Sequence, residues 1–396
     1  MTLVLRRAAA LLLLGHLVAC DLEAAPLDPC AARSAQQEPP PDTLDLLFMV
    51  DNSNCTTRDQ QRFQDAVPGL LGALLRGEVP ASEATDSRGR SFPALRSLRI
   101  GVISSDMGIG GFTVPTCTDP LGDDGRLLAF PNPLDPRCPA DPPLFLELTR
   151  EPGLSDDAWA AQVEQLTVDA SCLTQLGTNG CGFEQPLEAI LKALTPAASA
   201  LRFQDGTPGR GDENRVEGAD PARFLRPGSL LAIIALTDED DCSVADPELF
   251  DPASERYAGD LNLRCFHYPE AVHPVERYVE GLLALRPPER LVYATLAGVP
   301  ERLNGVDART ILNDPAMQEA IDPANGGRLV PSCTLPETLS FPPRRMVSLA
   351  SGLEERGARV AVGSLCQRDF GPAMAPVLHA MADALEGVPT ADRTCP

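Results

Sequence analysis

The sequence is almost without lysine. Of its 33 basic residues only Lys192 is a lysine, and 56 acidic residues give the 396-residue chain a formal net charge of -23. Nucleic acids and anionic membrane surfaces attract basic patches on proteins. The excess of acidic residues therefore argues against both as partners, and we expect no binding to nucleic acid.

Motifs of common enzymes are also missing. The chain contains no Gly-x-Ser-x-Gly, no His-Glu-x-x-His and no phosphate-binding glycine loop. Beyond the N-terminal segment the histidines are His267, His273 and His379. A pair of Cys55 with one of them, as nucleophile and base, is the enzymatic alternative, but no spacing supports it. We therefore expect a protein without catalytic activity.

Long apolar runs are confined to the N-terminus, where one follows two arginines and covers residues 8–19. This run is too short to span a bilayer and predicts a signal peptide over residues 1–19. Leu17-Val18-Ala19-Cys20 resembles a bacterial lipobox, in which the cysteine is acylated and becomes the mature N-terminus; an ordinary signal peptide is the alternative. Several acyl chains on Cys20 would anchor the protein stably. The proline-rich residues 20–42 are predicted to form a flexible tether.

Cysteine pairs of the Cys-x-x-Cys type are absent, which argues against a structural zinc site. Twelve cysteines in an exported chain instead predict disulfides. Eleven remain after Cys20, so at least one is free or pairs between chains. The disulfide candidates are Cys117, Cys138, Cys172, Cys181, Cys242, Cys265, Cys333 and Cys366. We expect the local pairs Cys117–Cys138, Cys172–Cys181 and Cys242–Cys265, although spacing alone leaves other connectivities open.

Strand-like and helix-like segments alternate from residue 43 to residue 386. Apolar runs predict strands at 46–50, 99–103, 230–236, 291–296 and 359–362, with amphipathic helices between them. This alternation predicts an α/β fold, in which a doubly wound, mostly parallel sheet is flanked by helices. In the first helix, Pro68 predicts a kink or an early break. Residues 387–396 are predicted to be a C-terminal tail.

Four long insertions interrupt this pattern, near residues 106–155, 198–228, 242–274 and 298–343. Loops of this length are usually functional. Three of the four follow predicted strands at their carboxyl ends, so we expect disulfide-stapled loops that form a rim at that end of the sheet. A separate second domain is the alternative.

Three segments carry residues suited to a cation. Residues 46–50 are an apolar run that ends in Asp51-Asn52-Ser53-Asn54-Cys55, and residues 233–236 end in Thr237-Asp238. Gly177-Thr178-Asn179-Gly180 forms a polar loop between them in sequence. Ligands of open α/β sheets bind at the carboxyl ends of the strands, where two of these segments are predicted to lie.

This arrangement resembles the von Willebrand factor A (VWA) domain, whose metal-ion-dependent adhesion site uses Asp-x-Ser-x-Ser, a threonine and a further aspartate. The resemblance implies that Ser53 and Thr178 bind Mg²⁺ or Mn²⁺ directly and that Asp51 and Asp238 hold its waters. Cys55 stands where the family has a third hydroxyl, and a thiol is a soft ligand.

Glu239, Asp240 and Asp241 extend the acidic run after Asp238. We expect them to be solvated, and Ca²⁺ binding through the adjoining loop is the alternative. A further alternative is that Asp51 and Asp238 only cap loops through backbone amides.

The sequence as a whole predicts an exported protein, lipid-anchored to a bacterial cell envelope, that binds a protein partner through a divalent cation. The resemblance implies that a carboxylate of the partner completes the coordination of this cation. The runner-up is the same fold without a metal, acting as a structural or loop-mediated interaction module.

Overall fold

The computed structural model describes residues 42–77, 95–130, 135–216, 222–336 and 338–387. The predicted signal peptide, Cys20, and nearly all of the predicted tether and C-terminal tail lie outside these residues. Within them, no helix combines the length and apolar character needed to cross a membrane.

Six strands form one central sheet. They are β1 (Thr43–Val50), β2 (Ser97–Ser104), β3 (Leu146–Thr149), β4 (Leu230–Leu236), β5 (Leu291–Ala297) and β6 (Arg359–Ser364). Their order across the sheet is β6-β5-β4-β1-β2-β3, and all neighbours are parallel except β3, which is antiparallel to β2. The mostly parallel sheet confirms the predicted α/β class. Strand β3, which the sequence did not predict, lies inside the first insertion.

Six helices cover both faces of the sheet. They are α1 (Thr57–Arg76), α2 (Asp156–Leu173), α3 (Pro186–Leu194), α4 (Glu276–Leu285), α5 (Arg344–Glu355) and α6 (Gly371–Leu385). In β1, Leu46 and Phe48 join the core under α1, α2 and α6, whereas Leu47 and Met49 join the core under α3, α4 and α5. Since each strand is buried on both faces, it reads as a continuous apolar run rather than an alternating one.

Helix α1 continues through Pro68, so the predicted early break is wrong. Pro68 is exposed, and the carbonyl that lacks its helical partner can hydrogen-bond to water on that side. On the other side Phe63, Val67 and Leu70 are buried against the sheet. Packing of this apolar face offsets the missing hydrogen bond.

Within the described residues four disulfides staple the loops: Cys117–Cys181, Cys138–Cys172, Cys242–Cys265 and Cys333–Cys366. They indicate an extracytoplasmic protein. The predicted Cys242–Cys265 pair is confirmed, and the predicted pairs Cys117–Cys138 and Cys172–Cys181 are wrong.

The disulfide pairing differs from the predicted pairing for a physical reason. The first insertion packs against the Thr178 loop, where the Gly182 amide donates to the Thr116 carbonyl (3.2 Å) and the Thr118 hydroxyl to the Asn179 carbonyl (2.8 Å). These contacts bring Cys117 to Cys181. Cys138 then pairs with Cys172, which lies in the last turn of α2.

Short elements complete the insertions. Two-residue strands Arg215–Val216 and Ala222–Arg223 pair, as do Ile321–Asp322 with Asn325–Leu329 and Cys333–Leu335 with Thr338–Ser340. Short helices are Arg264–His267 and Ala308–Asn313. A third apolar cluster joins the first and third insertions through Ile109, Val114, Phe183, Leu249, Phe250 and Tyr257.

Candidate metal site

The order of the strands opens a crevice between β1 and β4. Strand β2, which follows β1 in the chain, lies on one side of β1. Strand β4 lies on the other side. Connections from the two carboxyl ends therefore diverge, which is where ligands bind in open α/β sheets. Asp51 directly follows β1, and Asp238 lies two residues beyond β4. The Asp51 amide donates to the Leu236 carbonyl (3.0 Å), which holds the two strand ends together.

Asp51 is fully buried and oriented by several donors. Its Oδ1 accepts from the Ser53 amide (2.9 Å) and the Ser105 hydroxyl (3.3 Å), and its Oδ2 accepts from the Thr237 hydroxyl (2.9 Å). Burial raises the pKa of Asp51, although these hydrogen bonds oppose the rise. The carboxylate is thus held in one orientation, and none of these partners in the described part of the chain carries a positive charge.

Asp238 is 2% exposed, and its Oδ1 has no hydrogen-bond partner among the described residues. Burial, and then the charges of Asp51 and Glu239, raise its pKa well above the ordinary value. The backbone is fixed, since the Asp238 carbonyl accepts from the Phe341 amide (2.8 Å). Buried polar atoms are normally satisfied, because leaving them unpaired costs free energy. A cation or a water held by it would satisfy this oxygen.

Two anchors hold the Thr178 loop against the turn after β1. The Gln60 side-chain amide donates to the carbonyls of Gly177 (2.8 Å) and Asp51 (2.8 Å), and its oxygen accepts from the Gly177 amide (3.1 Å). On the other side the Gly180 amide donates to the Asn52 carbonyl (2.9 Å). The partly exposed Thr178 lies between these anchors.

Gly180 is needed at its position in this loop. A Cβ there would collide with the side-chain amide of Asn52, so a larger residue would push the loop away from the turn. The structure therefore brings the segments of Asp51, Thr178 and Asp238 to one end of the sheet.

Ser53 and Cys55 complete the turn. Ser53 is 6% exposed, whereas Cys55 is exposed and is without a disulfide among the described residues. Partial burial of the thiol, followed by the charges of Asp238, Glu239 and other acids, raises the pKa of Cys55.

Two further acids at this site, Glu184 and Asp59, were missed by sequence reasoning, and Glu239, which was expected to be solvated, is only partly exposed and lies here as well. Burial, and then charged neighbours that include Asp51, raise the pKa of Glu184 well above its ordinary value and that of Glu239 to about 7. Burial also raises the pKa of Asp59 to about 6, although Arg62 forms an ion pair with it. Sequence position could have assigned two of these acids to the site, because Asp59 lies in the first turn of α1 and Glu239 adjoins Asp238.

Asp240 and Asp241 cap helices, so the expectation that they are solvated is wrong. Asp240 accepts from the Arg345 amide (2.9 and 3.0 Å) in the first turn of α5. Asp241 accepts from the Leu187 amide (2.9 Å) in the first turn of α3 and forms an ion pair with Arg345 (3.0 Å). Carboxylates at helix N-termini satisfy free amides and offset the helix dipole. Their oxygens thus have partners within the protein, and Ca²⁺ binding through the adjoining loop stays a prediction.

Across the described ranges, no three side chains of His, Cys, Asp or Glu converge closely enough to hold a metal ion by themselves. Mg²⁺ does not require such a cluster, because it keeps several waters and takes only one or two carboxylates directly. Ser53, Thr178 and the unpaired oxygen of Asp238 offer hard oxygen donors next to uncompensated negative charge. These residues fit a water-rich cation site.

Comparisons with known proteins return no match, either to a protein-family model or to a curated protein.

Gln60→Ala should loosen the Thr178 loop. Since the change removes four hydrogen bonds, one of them to the Thr56 hydroxyl, and leaves backbone groups of Gly177 and Asp51 unpaired, we expect a loss of about 1–3 kcal/mol in the free energy of unfolding. Non-reducing urea denaturation measures this loss, and hydrogen exchange should rise at residues 177–180. The matched control is Gln61→Ala, an exposed neighbour whose bonds lie at the surface. Equal exchange of the loop in both variants would show that Gln60 is not its anchor.

Proposed function

We propose that the chain is a VWA-type binding module that recruits a protein partner through a divalent cation held between β1 and β4. The observation that carries this proposal is the buried, unpaired Oδ1 of Asp238 beside the oriented carboxylate of Asp51. The strand order supports it, since it makes β1 and β4 neighbours and so brings the segments of Asp51 and Asp238 to the same end of the sheet, where ligands of open α/β sheets bind.

In this proposal each residue of the site has one role. Ser53 and Thr178 hold the cation through their hydroxyls, and Asp51 and Asp238 hold its waters. Mg²⁺ or Mn²⁺ suits such oxygen donors, and Ca²⁺ is a further candidate. When bound, the cation supplies a coordination position that accepts a carboxylate of the partner. The function is binding rather than catalysis.

Cys55 favours a second candidate function, because a thiol stands here where the VWA pattern has a third hydroxyl. In this alternative the same fold acts without a cation, and the rim of disulfide-stapled loops contacts the partner. The two candidates differ in whether a chelator releases the partner.

We further propose that the domain is exported and tethered to the cell envelope through an acylated Cys20. The four disulfides support export, and the lipobox-like sequence that ends at Cys20 supports the anchor. Cys20→Ala should release the protein from membranes or leave its precursor unprocessed, because the acylated thiol is then missing. Detergent-phase partitioning of the variant and the wild type measures this. Identical partitioning of the two proteins would contradict the anchor.

The cation should stabilise the folded protein. At about 100 times its dissociation constant a ligand adds ~2.7 kcal/mol to the free energy of unfolding, so Mg²⁺ or Mn²⁺ should raise the thermal midpoint measurably. Asp51→Asn should abolish this rise, and Cys55→Ser should enlarge the response to Mg²⁺ because an oxygen replaces a soft sulfur. The matched control is Asp65→Asn, which removes an exposed acid from α1 and should respond as the wild type does.

Partner binding provides the second readout. Affinity capture from envelope extracts in Mg²⁺ or Mn²⁺ should recover a partner that a chelator releases and that Asp51→Asn fails to retain. A partner retained equally in chelator and by Asp51→Asn favours the metal-free alternative. If millimolar cation shifts neither the wild type nor Cys55→Ser, the adhesion-type mechanism is wrong.

A further inference from the structure

A polar cavity of about 540 Å³ lies between α1, α2 and the first insertion, and none of the residues proposed to hold the cation lines it. Small-molecule sites in proteins typically enclose about 300–1,000 Å³ and are lined mostly by apolar side chains. Here most of the lining residues are polar, and none of those that the structure describes is aromatic. The cavity therefore has the size of a small-molecule site but suits a polar ligand.

Two links between its walls fix the shape of this cavity. The side-chain amide of Gln175, two residues beyond the end of α2, donates to Gln64 Oε1 on α1 (2.7 Å). The Cys138–Cys172 disulfide ties the first insertion to α2. Because both links lie within the chain, the cavity is formed before a ligand arrives, and such preorganisation lowers the entropic cost of binding.

The lining contains hydrogen-bond donors that the protein itself does not use. Gln64 Oε1 accepts from Gln175 and from the Gln61 side-chain amide (3.0 Å), whereas the NH2 group of Gln64 has no acceptor among the described residues. The Ser171 hydroxyl lines the same cavity and makes no hydrogen bond within the described ranges. Both groups can therefore donate to a ligand.

Unused acceptors lie beside these donors. Asp65 Oδ1 accepts from Gln61 (3.1 Å), whereas its Oδ2 has no donor in the part of the chain that the structure describes. The Thr167 hydroxyl donates to the Val163 carbonyl (2.7 Å), which leaves Oγ1 of Thr167 able to accept. The cavity thus presents free donors and free acceptors together.

This mixture decides which class of ligand fits. An anion such as phosphate only accepts hydrogen bonds, and the carboxylate of Asp65 repels it. A cation needs acceptors alone, which the NH2 group of Gln64 does not provide. Arg137 adds no uncompensated charge, since it forms an ion pair with Asp135 (2.6 Å). Hydroxyl groups both donate and accept, so a neutral molecule with several hydroxyls matches the lining.

We propose that this cavity is a second binding site of the protein and that it takes a neutral sugar. The Asp65 carboxylate and the Thr167 oxygen accept from sugar hydroxyls, and the Gln64 amide donates to a sugar oxygen. The Ser171 hydroxyl donates or accepts as the sugar requires. C–H groups of the sugar contact the apolar part of the lining, which includes Val168. The inference goes beyond the proposed function and does not depend on a cation.

Ligand-observed NMR of the full chain tests this site, with D-glucose, D-galactose, D-mannose and N-acetyl-D-glucosamine as probes. At least one of these sugars should bind the wild type, with the same dissociation constant in chelator. Asp65→Asn should weaken binding about tenfold, because an uncharged acceptor replaces a charged one. Ser171→Ala should weaken it ~2–10-fold through the loss of one hydrogen bond.

The matched control is Asp169→Asn on α2. The Asp169 carboxylate accepts from Gln165 (2.9 Å) and does not line the cavity, so this variant should bind the sugar as the wild type does. Near-ultraviolet circular dichroism of each variant verifies that it is folded. An oligomer of the sugar that binds more tightly than the monomer identifies an envelope polysaccharide as the source, whereas equal affinity identifies a free sugar.

Several outcomes would overturn the inference. One is a wild type that binds none of the probes at tens of millimolar. Another is equal affinity in the wild type, Asp65→Asn and Ser171→Ala, which would place the sugar elsewhere on the protein. Release of the sugar by chelator, or tighter binding of a phosphorylated sugar than of its neutral parent, would also contradict it. None of these results bears on the proposed cation, whose effect on the thermal midpoint is measured without sugar.

Discussion

Negative charge buried at the carboxyl end of the sheet is the constraint around which the site is organised. Because β1 and β4 are neighbours, Asp51 and Asp238 meet in one crevice that is shielded from solvent. A buried carboxylate either keeps its proton or needs a nearby cation. Glu184 and Glu239 add to the same charge. Burial raises the pKa of all four acids, and repulsion from neighbouring acids adds to the rise for Asp238, Glu184 and Glu239. The proposed cation would relieve this repulsion.

Much of the surrounding structure holds this crevice in place. Gln60 ties the Thr178 loop to the turn after β1, and Asp240 and Asp241 tie the loop after β4 to the helices α5 and α3. At the rim, one disulfide joins the first insertion to the Thr178 loop and another closes the third insertion. Such cross-links reduce the conformational freedom of long loops. The acids are therefore held close together despite their repulsion.

Local patterns predicted the sheet well, because strands buried on both faces are continuous apolar runs. Strand β3 was missed since it has four residues, and only one of them, Leu146, is fully buried. The rule for open α/β sheets placed Asp51 and Asp238 together correctly. Glu184 could not be assigned in this way, because it approaches the site through contacts distant in sequence. The disulfide partners of Cys117 and Cys172 depend on the same kind of long-range packing.

The most direct test of the account is the pH dependence of the thermal midpoint, measured in chelator and in saturating cation. Glu239 has a folded-state pKa of about 7 against an ordinary 4.5, so the folded protein holds a proton that the unfolded chain loses between these values. Stability in chelator should therefore fall as pH rises from 4.5 to about 7. Cation should reduce this fall, and Glu239→Gln should lessen it, leaving the part that Asp59, Asp106 and Asp240 contribute through their own raised pKa values. Identical pH profiles with and without cation would contradict the claim that the buried acids form a cation site.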